Sequence, residues 1–179
     1  MQRTVLYLVF TLFTAVLLLS CGNEVSLQRY YVDNQENKNF ISQDFPLSMV
    51  NIDKSNFTPE QNEAYESVDK LNFLGYKVSE TDLESYNTEL AKVKTILSNS
   101  KYNDLMEFND KGNRIVVKYI GDDEADEVVV FGNSKDLGFG IVRVLGDGMN
   151  PEKMITLINA MQKANIDENE IENIMNFFK

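Results

Sequence analysis

The 179-residue chain has no histidine, no tryptophan and a single cysteine, Cys21. Without histidine, Ser-His-Asp and Cys-His nucleophilic systems are excluded, as are histidine-ligated zinc and iron sites. No side chain here titrates near neutrality unless its surroundings perturb it strongly. One cysteine gives no intrachain disulfide. Positive charge is also scarce: 17 Lys and Arg stand against 28 Asp and Glu, for a net charge of −11. Such a surface repels phosphate backbones and anionic head groups, so nucleic acid is not an expected partner. Any enzyme built from this chain would have to use carboxylates, Lys, Tyr or an oxygen-liganded metal. No cofactor motif and no catalytic residue stand out, so a protein that binds is the expectation over one that catalyses.

Long apolar runs are absent except for one. Arg3 is followed by the apolar stretch Val5 to Leu19, then by Leu18-Leu19-Ser20-Cys21. A positive start, a short greasy middle and a small residue before a cysteine read as a bacterial lipoprotein signal peptide over 1–20. As a helix the stretch spans about 22 Å, short of the roughly 30 Å of a membrane core. Cys21 is therefore the expected lipidation site, carrying acyl chains such as palmitate, with residues 21–27 as a tether. Removal of the leader would leave 159 residues, enough for one domain over 28–179, and would move the charge to −12 because Arg3 leaves with it.

The remainder reads as α+β. Leu27, Tyr30 and Tyr31 share one face of a helix over 26–35, and Phe40–Phe45 forms an edge-like strand closed by Pro46. Thr58-Pro59-Glu60-Gln61 is a capping box with proline at the first helical position, and it predicts a helix whose stripe is Ala64, Tyr65, Val68 and Leu71. A strand follows over 73–78. A second box, Thr81-Asp82-Leu83-Glu84, opens a helix with Leu83, Tyr86, Leu90, Val93 and Leu97 on one face. Period-two segments then predict strands at Leu105–Phe108, Arg114–Ile120, Asp126–Phe131 and Phe139–Leu145, joined by polar turns into an antiparallel meander. The run Val128 to Phe131 is apolar on both faces and belongs at the centre of a sheet covered on each side. Asn150 caps a helix with Met154, Leu157, Ile158 and Met161, and Asp167 opens a last one with Ile171, Ile174, Met175 and Phe178. The expected fold is an antiparallel meander sheet of four to six strands with helices packed against it.

Few residues suggest a site. Asp122, Asp123, Glu124 and Asp126 are hard oxygen ligands within one short run and could hold Ca²⁺. Their spacing is not that of an EF-hand loop, and a solvated hairpin tip is the preferred reading. Gly138-x-Gly140 does not sit between a strand and a helix N-terminus, which argues against a phosphate loop; Gly140 suits a bulge or a close helix approach. Arg143 within the apolar run Ile141–Leu145 either faces water or pairs with a carboxylate, and only the second arrangement would mark a pocket. Asp147, just before a helix N-terminus, is the other candidate pocket residue. Phe177-Phe178 would form a partner surface if exposed, unless the last helix folds back on the body.

Four stretches carry a family resemblance: Tyr30-Tyr31-Val32-Asp33-Asn34-Gln35-Glu36-Asn37, Glu60 to Val68, Val116-Val117-Lys118-Tyr119-Ile120-Gly121, and Gly138 to Asp147. Over most of 28–165 the chain resembles Bacteroidota lipoproteins carrying domain of unknown function 4252. The resemblance implies a place in the cell envelope and no activity. The single acid in Gly22-Asn23-Glu24-Val25 suits the periplasmic leaflet of the outer membrane. Three roles follow as expectations: a lipid-anchored, non-catalytic module binding an envelope partner, a carboxylate-dependent enzyme on an envelope substrate, or a Ca²⁺-binding or envelope-signalling component.

Overall fold

The computed structural model describes residues 25–49, 52–79, 81–110, 113–161 and 172–178. Cys21, the leader before it, residues 22–24 and the expected opening of the last helix at Asp167 lie outside them. Among these described residues twelve elements follow one another. They are α1 (Leu27–Asn34), β1 (Phe40–Pro46), a 3-10 turn (Leu47–Met49), α2 (Pro59–Glu66), β2 (Val68–Lys77), α3 (Leu83–Leu97), β3 (Asn103–Asp110), β4 (Asn113–Gly121), β5 (Ala125–Ser134), β6 (Gly138–Met149), α4 (Pro151–Met161) and α5 (Glu172–Phe178).

The strands form one antiparallel sheet in the order β1-β2-β6-β5-β4-β3. From β3 to β6 each strand pairs with the next, which is the expected meander; β2 then closes on β6 and carries β1 as the far edge. Pro46, which has no N–H, ends β1 at that edge, where a missing ladder bond costs least.

Each face of the sheet has its own core. On one, Phe40, Leu74, Tyr76, Val129, Phe131, Phe139 and Ile141 are covered by α1 and α3 through Leu27, Tyr30, Tyr86, Val93, Ile96 and Leu97. This face is aromatic: Phe139 stacks on Tyr76 at 5.5 Å and Phe40 meets the same Tyr76 edge-on at 4.9 Å. On the opposite face Val68, Val117, Val128 and Val144 meet Ala64 of α2 and Met154 and Leu157 of α4. Val128 and Val129 point to opposite faces and are 0% and 1% exposed, so β5 is central and covered on both sides, as its unbroken apolar run predicts.

Local chemistry sets several boundaries. Ser26 caps α1 by accepting from the Arg29 N–H, and Leu27 is buried, so the body begins within the segment expected to be tether. Thr58 and Gln61 form the full capping box of α2, and Asn150 Oδ1 accepts from the Lys153 N–H at the start of α4.

Two expectations are corrected. The helix opened by Thr58 does not extend to Leu71; it stops at Glu66, and Val68 begins a strand held between β1 and β6. Val68 and Leu71 still bury beside Ala64 and Tyr65, but across a helix–sheet contact. The second capping box does not form either. Thr81 shares its hydroxyl with Ser79, and Asp82 stands at the N-cap without a side-chain bond.

Candidate functional site

The expected Arg143 site is resolved by register. Residues paired across neighbouring strands share a face, and on the aromatic face one row crosses the whole sheet: Asp44, Asn72, Arg143, Val129, Lys118, Asp104. Five of six are polar, beside a core that on this face is built of rings and aliphatic side chains. Glu127 lies one diagonal step from Arg143 on β5.

Arg143 turns inward. Its Nε and Nη2 donate to Glu127 Oε1 and Oε2, both at 2.8 Å, a parallel fork between side chains that are 8% and 10% exposed. Burial disfavours the guanidinium charge, but the Glu127 bonds and charge outweigh it and hold the Arg143 pKa above its ordinary value. Beside the pair, the Tyr31 hydroxyl donates to Asp44 Oδ1, and the Tyr102 hydroxyl accepts from the Leu27 N–H at 3.2 Å, tying α1 to the start of β3. Among the described residues no buried side-chain nitrogen or oxygen lacks a hydrogen-bond partner. The centre of the row is thus closed on itself, a brace beneath α1 with no donor aimed into empty space.

The other sequence candidates do not gather around Arg143. Asp147 lies four residues along the same strand, about 13 Å away; its N–H bonds the Ser67 carbonyl and its side chain is exposed. Asp122, Asp123 and Glu124 stand exposed in the β4–β5 turn, and Asp126 is bulged out of register with both neighbours. No three carboxylates among the described residues converge to share a metal ion. The carboxylate that matters in that stretch is Glu127, which turns the other way to meet Arg143. Phe178 packs edge-to-face on Phe73 at 6.5 Å, so α5 folds back on the sheet.

At its β3 end the same row opens. The aromatic face beyond α3 leaves a groove of about 680 Å³ lined by Lys94, Leu97, Asp104, Leu105, Glu107, Arg114, Val116, Lys118 and Phe131, among others. Lys118 is recessed, 16% exposed, and its ammonium pairs with Asp104, which is 83% exposed. Arg114 grips Glu107 through Nε and Nη2 at 2.7 and 2.6 Å. Those bonds hold the Glu107 carboxyl below its ordinary range. General acid catalysis by a carboxyl pair needs one partner kept protonated, and Glu107 is biased the opposite way.

A second groove, of about 420 Å³, lies on the opposite face beside α5. Gly132 and Gly140, cross-strand neighbours, line it, and Gly75 continues their row across β2. The Phe73 ring lies where side chains on Gly75 and Gly140 would be, which is why these strands carry more glycine than their turns require.

The tyrosines give this face a pH signature. Burial raises the Tyr30, Tyr31, Tyr76 and Tyr86 phenols above their ordinary value, and hydrogen bonds to Glu89 and Asp44 add to the shift of Tyr30 and Tyr31. A phenol is neutral when protonated, so the folded chain keeps protons that the unfolded chain loses above about pH 10. Stability from these groups is complete below that pH and falls as pH rises past it. Alkaline titration followed by phenolate absorbance should show these four phenols ionising only with cooperative loss of circular dichroism. All phenols ionising together near pH 10 with the fold intact would contradict the burial.

Fold and site define a class: an α+β domain with one antiparallel sheet, helices on both faces, a closed ion-paired centre and an open charged groove at one edge. Residues 30–157 match the model of the family described as Domain of unknown function (DUF4252), and the chain belongs to that family. The match takes in all six strands and stops before α5. No curated protein and no solved structure matches the chain. No helix among the described residues is long and apolar enough to cross a membrane.

Proposed function

We propose that this is a lipid-anchored protein of the cell envelope, held through acylated Cys21 to the periplasmic leaflet of the outer membrane, whose domain binds a ligand or partner and catalyses nothing. One observation carries the binding reading. The polar row is satisfied and buried at Arg143 and Glu127 but ends in an open groove where charged groups and apolar side chains lie together. Concave sites with a mostly apolar lining and a few placed polar groups are what recognition requires. The anchor rests on the leader chemistry ahead of Cys21.

Both halves are tested in membranes of the native host. Labelled palmitate should enter the wild type and not Cys21→Ala, and the variant should leave the membrane fraction or accumulate with its leader intact. A photo-crosslinking residue at Leu105, in the groove, should give a discrete adduct, whereas one at the exposed Thr156 of α4 should not. An unlabelled wild type would remove the anchor; equal or absent adducts at both positions would remove the groove as the binding site.

A further inference from the structure

The charges around the groove narrow its ligand, given the binding reading above. In a chain of net charge −11, this groove is lined by three cations, Lys94, Lys118 and Arg114, and two acids, Asp104 and Glu107. Glu107 is tied to Arg114 and Asp104 to Lys118. Lys94 makes no ion pair among the described residues, so the groove carries local positive charge on an otherwise acidic molecule.

The Lys118 pair is lopsided in a telling way. The cation is sunk to 16% exposure and the carboxylate that caps it stands in water at 83%. An ion pair with one partner so exposed contributes at most about 1 kcal/mol, so Asp104 can swing into solvent at little cost. The recessed ammonium cannot follow it and is left needing an anion. Asp104 thus marks where a foreign anionic head would sit. Next to it Leu97, Leu105, Val116 and Phe131 line the same groove with apolar surface. A volume near 680 Å³ suits a small molecule.

We propose that this groove binds a small amphiphilic anion, a carboxylate or phosphate head on a single aliphatic chain, with the head on Lys118 and Lys94 and the chain along Leu97, Val116 and Phe131. The bulk of the surface repels such anions, so the groove provides the attraction locally.

The test is calorimetric, with the full chain in lipid nanodiscs and empty discs as the blank. The ligands are octanoate, octyl phosphate, octylamine and octanol, which share one chain and differ in the head. At least one of the two anions should bind about ten-fold tighter than octanol, equivalent to about 1.4 kcal/mol, and octylamine should bind most weakly. Lys118→Met keeps the apolar stem and should lower anion affinity about ten-fold while leaving octanol unchanged. Asp104→Asn should raise anion affinity, because the competing carboxylate is gone. The better of octanoate and octyl phosphate distinguishes a free acid from a lipid phosphate as the source. Octanol or octylamine binding as tightly as the anions, or weaker anion binding by Asp104→Asn, would overturn the anion assignment while the Leu105 adduct keeps the groove as a binding site. No heat from any of the four overturns the amphiphile, and if the Leu105 probe also stays free the binding reading falls with it.

Discussion

Arg143→Met should lower the unfolding free energy by about 3–5 kcal/mol, the cost of leaving a buried charge without its partner. The mechanism is specific to the pair. Glu127 is nearly inaccessible, and both of its oxygens take their bonds from one guanidinium. Removing Arg143 strands a carboxylate paired across the sheet with Leu145 and Ile120, where water cannot replace two charge-assisted bonds. The double variant Arg143→Met with Glu127→Leu should recover most of the loss, since an apolar pair of similar volume needs no partner there. Arg143→Lys should fall between, because an ammonium keeps the charge and loses the fork. Denaturant midpoints of the wild type, Arg143→Met, Glu127→Leu and the double variant, read as a double-mutant cycle, check this, with Arg143→Lys measured beside them. A double variant as unstable as the sum of its single variants would show that the two side chains act independently.

How much of this was legible beforehand follows the range of each signal. Local chemistry was readable: the Thr58 and Asn150 caps, the meander turns and the two-sided apolar run of β5 need only a few neighbouring residues. Val68 to Leu71 misled because a bulge between Val68 and Lys70 puts Val68 and Leu71, three residues apart, on one face of the sheet, the spacing that a helical stripe continuing from Ala64 would also show. Pairing with β1 and β6 decided between the two periods. Arg143 stood out in its own strand, but its partner did not. Glu127 sat at the end of an acidic run that reads as solvated, and only strand register turns that one acid inward and aligns Asp44, Asn72, Lys118 and Asp104 with Arg143. The glycine row was half legible, since Gly140 was surplus to its turn, but its adjacency to Gly75 and Gly132 is again a matter of register. The groove was invisible to sequence because it depends on where α3 stops covering the sheet.

The aromatic core allows a prediction of similar size that tests the layering of the domain. Phe139→Ala should cost about 3–5 kcal/mol, the range for removing a buried ring from a packed interior. Phe139 is 1% exposed and sits among Tyr76, Phe40, Tyr86 and Phe131, with ring centroids 5.5, 6.3, 6.2 and 6.3 Å away. These neighbours come from β1, β2, α3 and β5, so no single shift of backbone can close the void. On the opposite face Met154 is 2% exposed within the aliphatic cluster of α4, and Met154→Ala should cost about 2–5 kcal/mol by the same mechanism. The sheet lies between the two sites and they share no side-chain neighbours, so the double variant should equal the sum of the single ones within about 0.5 kcal/mol. Both faces hang on the same six strands, however, so each variant should still unfold in one transition with an unchanged denaturant slope. Separate transitions for the two variants would mean that the aromatic and aliphatic layers melt independently, and the sheet would then not be the shared element that holds the groove in place.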